Sequence, residues 1–393
     1  MTCNFDKPTQ RRGTGSYKWD HEFRCRDGQP VGDDLLPMWV ADMDFETAPC
    51  ITEALQARVA HGIFGYTQVP ESYYDAVVNW FSRRHRWTIR REWIQYTSGV
   101  IPALSCVIKA LTMPGERVLL QTPAFNCFFS SIRNNGCEVS ELPLDMDGCT
   151  LTDWDAFEER CADEKTTLFV LCNPHNPTGH IWTRDELERM NDICLRHGVK
   201  VVSDEIHCEL TMPGREYVPF ASISQACLEN SVTLNSPSKA FNIAGLQIAN
   251  IVCSQPEWQR RIDRAININE VCDVNPFGIV ALQAAYNEGG AWLDALRDYL
   301  HENYLALCRF VERDLPQLRV YPLEATYLPW IDIRGTGLTS DQFTALVLEK
   351  CHVALSSGTT FGKAGEGYVR LNMACPRSRL LEALGRIKAC LEP

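Results

Sequence analysis

The sequence predicts an α/β fold in which helices cover both faces of a mostly parallel sheet. Short apolar segments alternate with helical ones from about residue 95, and this alternation is typical of parallel strands joined by crossover helices. After about residue 290 the alternation ends, which indicates a second, smaller unit. The expected strands of the sheet are 117–121, 167–172, 199–203, 232–235 and 248–253.

Three helices are predicted by their patterns. An aromatic-rich helix is expected over 71–87, and an apolar helix over 101–111 has Pro102 in its first turn. Thr183 and Glu186 have the spacing of a capping box, so a third helix should begin there and end near Gly198.

The chain is expected to divide into three parts. Residues 1–50 would form an N-terminal arm and a segment that packs on the small domain, and 51–288 would form the large domain. Residues 289–393 would form a smaller α+β domain, because they contain a long helix (291–313), a strand-like segment (326–333) and a capped helix that begins at Thr339.

Composition and charge exclude several classes of protein. The 393 residues carry a formal net charge of -12, which argues against a nucleic-acid surface or a polybasic membrane patch. The N-terminus has no apolar core like that of a signal peptide, and no apolar segment approaches the length of a membrane span. We therefore expect a cytoplasmic protein.

The eighteen cysteines do not have the spacing of a metal or redox motif. The closest two, Cys127 and Cys137, are ten residues apart, and the nine histidines also lack ligand spacing. Several cysteines lie in apolar segments, where the residue behaves as a small hydrophobe: Cys172, Cys194, Cys253 and Cys272. We expect free, mostly buried thiols and no metal.

Lys239 is the strongest candidate for a catalytic residue. It follows the strand-like segment 232–235 and lies between Ser236 and Ser238 on one side and a glycine-bearing segment on the other. A lysine there can form a Schiff base with an aldehyde cofactor, while the two hydroxyls can bind a phosphate. The alternative is a surface lysine in a polar turn.

Two further motifs could surround such a cofactor. Ser98-Gly99-Val100 precedes the helix at 101–111, whose N-terminal N–H groups could bind a phosphate, although this motif taken alone favours an ordinary N-cap. Asn173-Pro-His-Asn176-Pro follows a buried strand, and its two prolines predict a rigid loop. Asn176 could there donate to a phenolic oxygen.

Two charged residues complete the candidate site. Asp204 ends an apolar strand, where a buried carboxylate requires a partner such as a protonated pyridine nitrogen. Arg370 lies in a short strand, and its guanidinium matches a substrate carboxylate. The alternatives are a capping aspartate and a surface ion pair. Because strand ends share one edge of a parallel sheet, Asn176, Asp204 and Lys239 should lie together.

Together these motifs resemble the fold-type I pyridoxal phosphate enzymes of the aspartate aminotransferase superfamily. Within that superfamily, four passages resemble the MalY/PatB group of cystathionine β-lyases: residues 12–20, 36–45, 203–207 and 236–246. The resemblance covers essentially the whole chain. It implies a large domain with a mostly parallel sheet of the seven-stranded type, and a homodimer whose subunits share their active sites.

The resemblance also implies residue roles. Lys239 would hold pyridoxal 5'-phosphate and move the α-proton, and Arg370 would bind the substrate carboxylate. Tyr66 would reach the phosphate and substrate of the neighbouring subunit. The remaining expected cofactor contacts are Asp204 at the ring nitrogen, Asn176 at the phenolic oxygen, His207 and Phe125 at the ring, and Gly99, Val100, Ser236 and Ser238 at the phosphate.

The activity that the resemblance implies is α,β-elimination of cystathionine or another cysteine S-conjugate to a thiol, pyruvate and ammonia. An aminotransferase on the same fold is the alternative, and a non-catalytic regulatory protein is a third possibility. Two positions depart from the usual patterns. Phe125 replaces the usual tyrosine and has no hydroxyl, whereas Gln247 stands where aminotransferases have a phosphate-binding arginine.

Overall fold

The fold is described by a computed structural model, which covers residues 3–146, 151–270 and 273–391. Within them the helices are α1 Pro49–His61, α2 Glu71–His85, α3 Val100–Leu111, α4 Asn126–Asn134, α5 Trp154–Ala162, α6 Arg184–Arg196, α7 Gln225–Glu229, α8 Pro256–Asn267, α9 Pro276–Glu288, α10 Gly290–Asp314, α11 Ser340–Cys351 and α12 Arg377–Leu391. Each of these helices is too short or too polar to cross a membrane.

Thirteen strands lie in the same described ranges. They are β1 Leu36–Pro37, β2 Ile94–Thr97, β3 Arg117–Thr122, β4 Glu138–Pro143, β5 Thr166–Cys172, β6 Lys200–Asp204, β7 Ser231–Asn235, β8 Ala249–Cys253, β9 Arg319–Val320, β10 Trp330–Asp332, β11 Val353–Ala354, β12 Ser356–Ser357 and β13 Tyr368–Arg370.

The central sheet has seven strands in the order β2-β8-β7-β6-β5-β3-β4. β8 runs opposite to the other six strands, which are parallel to one another, so the predicted α/β fold with a mostly parallel sheet is confirmed. The register pairs Cys172 of β5 with Asp204 of β6, and Asp204 with Leu234 of β7. The loops that follow these three strands therefore begin at one edge of the sheet.

Both faces of this sheet are covered by helices. Along β5, Leu168 and Val170 pack with residues of α3, α4 and α8, whereas Phe169 and Leu171 pack with residues of α5, α6 and α7. Neighbouring side chains of a strand point to opposite faces, so an uninterrupted apolar segment is required where both faces are buried. The predicted capping box is also present, because Thr183 accepts from the Glu186 N–H and Glu186 accepts from the Thr183 N–H.

A second sheet is formed near the C-terminus by β12-β13-β10-β9, and all its strand pairs are antiparallel. With α10, α11 and α12 it forms the expected smaller α+β part. The strand expected over 326–333 is wrong in extent, since only Trp330–Asp332 pairs. Thr326 has a φ of 74°, which interrupts an extended backbone. The bounds proposed for the three parts of the chain remain predictions.

The N-terminal arm is anchored by a buried carboxylate, Asp44. It accepts from Lys18 Nζ (3.2 Å), Arg11 Nη1 (3.0 Å), Trp19 Nε1 (2.8 Å) and Arg379 Nη1 (2.8 Å). Burial alone would raise the pKa of Asp44, but these partners outweigh it and lower the pKa. The network ties the arm to α12 beside the segment 39–43, in which the Trp39 and Ala41 carbonyls accept from Arg370 and Lys239.

The expectation of free thiols is wrong for one pair of cysteines. Cys351 of α11 and Cys390 of α12 form a disulfide, with Cα atoms 6.4 Å apart. Two packed helices bring these residues together across 39 positions, a proximity that sequence spacing does not reveal. The other described cysteines are free, and eight of them are buried. Cys272 lies outside the described residues.

Candidate active site

A cavity of about 230 Å³, here called the inner cavity, lies at the sheet edge where β5, β6 and β7 end. The structure brings most of the predicted site residues to its wall: Gly99, Val100, Phe125, Asn176, Asp204, His207, Ser238 and Lys239. They come from five separate segments of the chain. Loops at the carboxyl ends of parallel strands meet at one edge, and this accounts for their convergence.

Lys239 lies on the turn after β7 and points into the inner cavity. Its Nζ donates to the carbonyl oxygen of Ala41 at 2.8 Å. Burial, together with the nearby charge of Arg370, lowers the pKa of the Lys239 ammonium to about 8. A lysine with this pKa is partly neutral near physiological pH and can act as a nucleophile or a base.

Asp204 forms the floor of the inner cavity at the end of β6 and is 4% exposed. Its Oδ1 accepts from the backbone N–H of Ile206 at 3.1 Å. Burial raises the pKa of this carboxyl to about 7, against the opposing effects of Ile206 and Lys239. A cationic group placed in the cavity beside Asp204 would favour the charged carboxylate. The Asp204 carboxylate therefore fits a protonated ring nitrogen.

Arg370 does not line the inner cavity itself but is hydrogen-bonded to Asn176, which does. Arg370 Nη1 donates to Asn176 Oδ1 at 2.9 Å, and Nη2 donates to the Trp39 carbonyl at 3.2 Å. Arg370 is buried, which lowers its pKa to about 10, and its Nε has no partner among the described residues. Because Asn176 Oδ1 is occupied, Nδ2 is the atom of that amide available to donate to a bound group.

His207 contributes a buried ring to the same wall. Burial and the charges of Lys239 and Arg370 lower the pKa of this imidazole to about 3, so the ring is neutral. Its Nδ1 is buried without a hydrogen-bond partner among the described residues. A flat heteroaromatic group in the cavity would contact an uncharged imidazole here.

The N-terminus of α3 forms one end of the inner cavity. Gly99 occupies the N-cap position and offers no side-chain cap, so the first N–H groups of the helix remain available to an anion. Ser238 also lines this cavity, but Ser236 does not. The Ser236 hydroxyl donates to the Ile248 carbonyl at 2.6 Å and accepts from the Ser238 N–H at 3.0 Å, which fixes the turn before Lys239.

Tyr66 lies away from the cavity of its own chain. Its side chain is fully exposed (103%), and its neighbours Ile63 and Phe64 are also exposed. The segment between α1 and α2 that carries them therefore presents aromatic and apolar groups outward. An exposed position is compatible with a role in a second subunit, and that role remains a prediction.

Sequence reasoning missed the backbone contacts of segment 39–43. The Ala41 carbonyl accepts from both Lys239 Nζ and the Tyr327 hydroxyl (2.9 Å). Asn372 Nδ2 donates to the carbonyls of Val40 (2.6 Å) and Asp42 (2.7 Å). Carbonyl groups carry no side-chain signature, so the only sequence signal was the family-like passage at 36–45.

The chemistry of this site combines an amine of lowered pKa, a buried carboxylate, a helix N-terminus and a guanidinium. These groups suit, in turn, an aldehyde, a ring cation, a phosphate and a carboxylate. Residues present in the structure thus fit the aldehyde, ring nitrogen and phosphate of pyridoxal phosphate and the carboxylate of an amino acid.

Comparisons with known proteins agree with this reading. Residues 33–387 match the family model described as aminotransferase class I and II. The chain is 41% identical to cystathionine β-lyase PatB of Bacillus subtilis, over 99% of this chain and 100% of that protein. It is 35% identical to protein MalY of Escherichia coli, over 96% of each.

The fold has a solved counterpart in cystalysin from Treponema denticola, whose crystal structure contains a pyridoxal 5'-phosphate cofactor. The TM-score is 0.95 at 33% identity, over 100% of this chain and 99% of that one. The family match spans most of the chain, and the similarity to PatB and MalY spans nearly all of it. The chain therefore belongs to the aminotransferase class I and II family.

Proposed function

We infer that this chain is a pyridoxal phosphate-dependent carbon–sulfur β-lyase that works in the cytoplasm as a homodimer. The single observation that carries the assignment is the convergence of Lys239, Asp204 and the N-terminus of α3 on one cavity, in a chain 41% identical to a cystathionine β-lyase. The reaction converts a cysteine thioether and water to a thiol, pyruvate and ammonia.

Bound pyridoxal phosphate supplies an aldehyde that condenses with amines and a ring that accepts electrons from the α-carbon. Lys239 would hold the aldehyde, and its neutral Nζ would take the α-proton of the substrate. Asp204 holds the ring nitrogen in its protonated form. The N–H groups at Gly99 and Val100, with the Ser238 hydroxyl, bind the phosphate.

Substrate orientation depends on Arg370 and Asn176. The guanidinium of Arg370 binds the α-carboxylate, and its bond to Asn176 Oδ1 fixes both side chains. Asn176 Nδ2 donates to the phenolic oxygen, while the rings of Phe125 and His207 contact the cofactor ring. Phe125 has no hydroxyl and cannot take part in proton transfer, so we assign the α-proton to Lys239 Nζ.

Incubation of the purified protein with L-cystathionine and other cysteine thioethers, with pyruvate as the measured product, tests the assignment. We expect pyruvate without any added keto acid, because elimination needs no amino acceptor. Turnover that requires a keto acid would identify an aminotransferase instead. No pyruvate from any thioether would contradict the lyase assignment.

Replacing Arg370 with lysine should raise KM for the amino-acid substrate about 30-fold. Lysine keeps the charge but cannot make the paired bonds of a guanidinium, and the loss of one charge-assisted bond is about 2 kcal/mol. Steady-state kinetics would measure the change. The visible absorbance of the holoenzyme serves as control, and an unchanged KM would remove Arg370 from the carboxylate site.

The exposed segment that carries Tyr66 supports a dimer with shared active sites. Tyr66, Ile63 and Phe64 are 103%, 67% and 54% exposed, and Phe64 also contacts Phe277 with ring centroids 5.6 Å apart. Aromatic groups exposed together mark association surfaces. We propose that this surface contacts a second copy and that Tyr66 enters its site.

Mixing two inactive variants tests the shared site. In a hybrid of Lys239→Ala and Tyr66→Ala chains, one of the two sites combines an intact Lys239 with an intact Tyr66. Random exchange of subunits makes half of the dimers hybrids, so activity should recover to about one quarter of the wild-type value. Two sites complete within single chains would give no recovery.

A further inference from the structure

A second cavity, here called the outer cavity, adjoins the site and has a volume of about 620 Å³. Phe125 lines both cavities. Arg370 lines the outer cavity and donates to Asn176, which lines the inner one. A substrate whose carboxylate lies on Arg370 therefore sits at the junction, and the group on its sulfur has the outer cavity within reach.

Five aromatic side chains line the outer cavity: Tyr17, Phe23, Trp39, Phe125 and Phe361. The ring of Trp39 lies 5.3 Å from the rings of both Tyr17 and Phe23, measured between centroids. On the Arg370 side, the guanidinium carbon lies 4.6 Å from the centroid of the buried Phe361 ring. Such walls favour flat apolar groups through offset and edge-on ring contacts.

Charged groups are scarce in this wall. Of the described residues that line the outer cavity, only Arg370 and Asp341 are charged. Asp341 Oδ1 already accepts from the hydroxyls of Ser357 (2.6 Å) and Thr359 (2.7 Å). Once Arg370 holds the α-carboxylate, the lining offers no cation for a second carboxylate, such as the one at the far end of cystathionine.

We propose that the preferred substrates are cysteine conjugates whose sulfur carries an uncharged aromatic group. The inference rests on the proposed lyase function and specifies its substrate class. The bond between the β-carbon and sulfur breaks, and sulfur keeps the electron pair and takes a proton to leave as an aromatic thiol. The α-proton is lost, and water converts the remaining three-carbon fragment to pyruvate and ammonia.

Kinetics with three thioethers test the proposal: S-benzyl-L-cysteine, L-cystathionine and S-methyl-L-cysteine. We expect kcat/KM for the benzyl compound to exceed that for cystathionine about tenfold or more, the range that apolar pocket contacts supply. A value for cystathionine equal to or above the benzyl value would overturn the substrate class. Absence of pyruvate from all three would instead overturn the lyase assignment.

Variants of the aromatic wall separate the outer cavity from the chemistry. Phe23→Ala should lower the ratio of kcat/KM for the benzyl compound to that for the methyl compound about tenfold, and Phe23→Leu should lower it less. Tyr17→Ala should act in the same direction, and Tyr17 is 68% exposed, so the fold does not depend on its ring.

The matched control is Trp154→Ala, since Trp154 is a half-buried aromatic residue outside the outer cavity. This variant should leave the ratio unchanged. An unchanged ratio in both Phe23→Ala and Tyr17→Ala would overturn the role of the aromatic wall, because the methyl substrate corrects for any general loss of active enzyme.

Discussion

Replacing Lys239 with alanine should lower kcat for pyruvate formation by at least about 1,000-fold. The substitution removes the amine that holds the cofactor aldehyde and also the base for the α-proton, and a positioned base alone contributes about 100- to 10,000-fold. No other amine has a position on the inner cavity wall among the described residues. The measurements are pyruvate release and the visible absorbance that the lysine adduct gives.

Lys200→Ala is the matched control. Lys200 is half-buried at the start of β6, the strand that ends at Asp204, and burial lowers its pKa as it does for Lys239. It does not line the inner cavity, so kcat should stay near the wild-type value. Retention of activity in Lys239→Ala, or an equal loss in Lys200→Ala, would contradict the assigned role.

The central strands could be predicted from the sequence because each is buried on both faces. β5, β6, β7 and β8 are short segments rich in Val, Leu, Ile and Phe, and their predicted bounds agree with the structure to within about a residue. The edge strand β4 escaped prediction. It is only partly buried, so its sequence Glu-Val-Ser-Glu-Leu-Pro shows no apolar segment.

The candidate site was predictable where it depends on strand ends. Asn176, Asp204 and Lys239 each follow a strand of the same sheet, and the topology rule alone places them together. The Ala41 carbonyl is different, because it reaches Lys239 across 198 positions and has no residue type that marks it. The predicted phosphate contact of Ser236 also depends on information that the sequence lacks. Its hydroxyl donates to the Ile248 carbonyl, a partner that the sequence does not indicate.

Asp204→Asn should lower kcat about 1,000-fold while it changes KM much less. An amide cannot hold the ring nitrogen in its protonated form, and the loss of a buried charge partner corresponds to about 4 kcal/mol. Kinetics at saturating cofactor would measure the effect. Glu205→Gln is the control, because this neighbouring buried carboxylate is used by Ser203, Tyr217 and the Phe220 N–H and lies outside the inner cavity.

Asp204→Asn should stabilise the cofactor-free protein against unfolding, although it lowers the activity of the holoenzyme. The folded-state pKa of Asp204 is raised to about 7 from an ordinary value of 3.8, so the folded protein binds more protons than the unfolded chain between those pH values. Its contribution to the free energy of unfolding is therefore fully present below about pH 4 and is lost as pH rises toward 7.

The asparagine side chain carries no charge at any of these pH values, so the variant does not lose free energy of unfolding as pH rises. Cofactor-free Asp204→Asn should accordingly unfold at a higher Tm than cofactor-free wild type at pH 8, and the difference should shrink at pH 5. Thermal unfolding at the two pH values measures it. A difference independent of pH would mean that Asp204 is not a buried carboxylate of raised pKa, and the case for a cationic partner at the floor of the inner cavity would lose its basis.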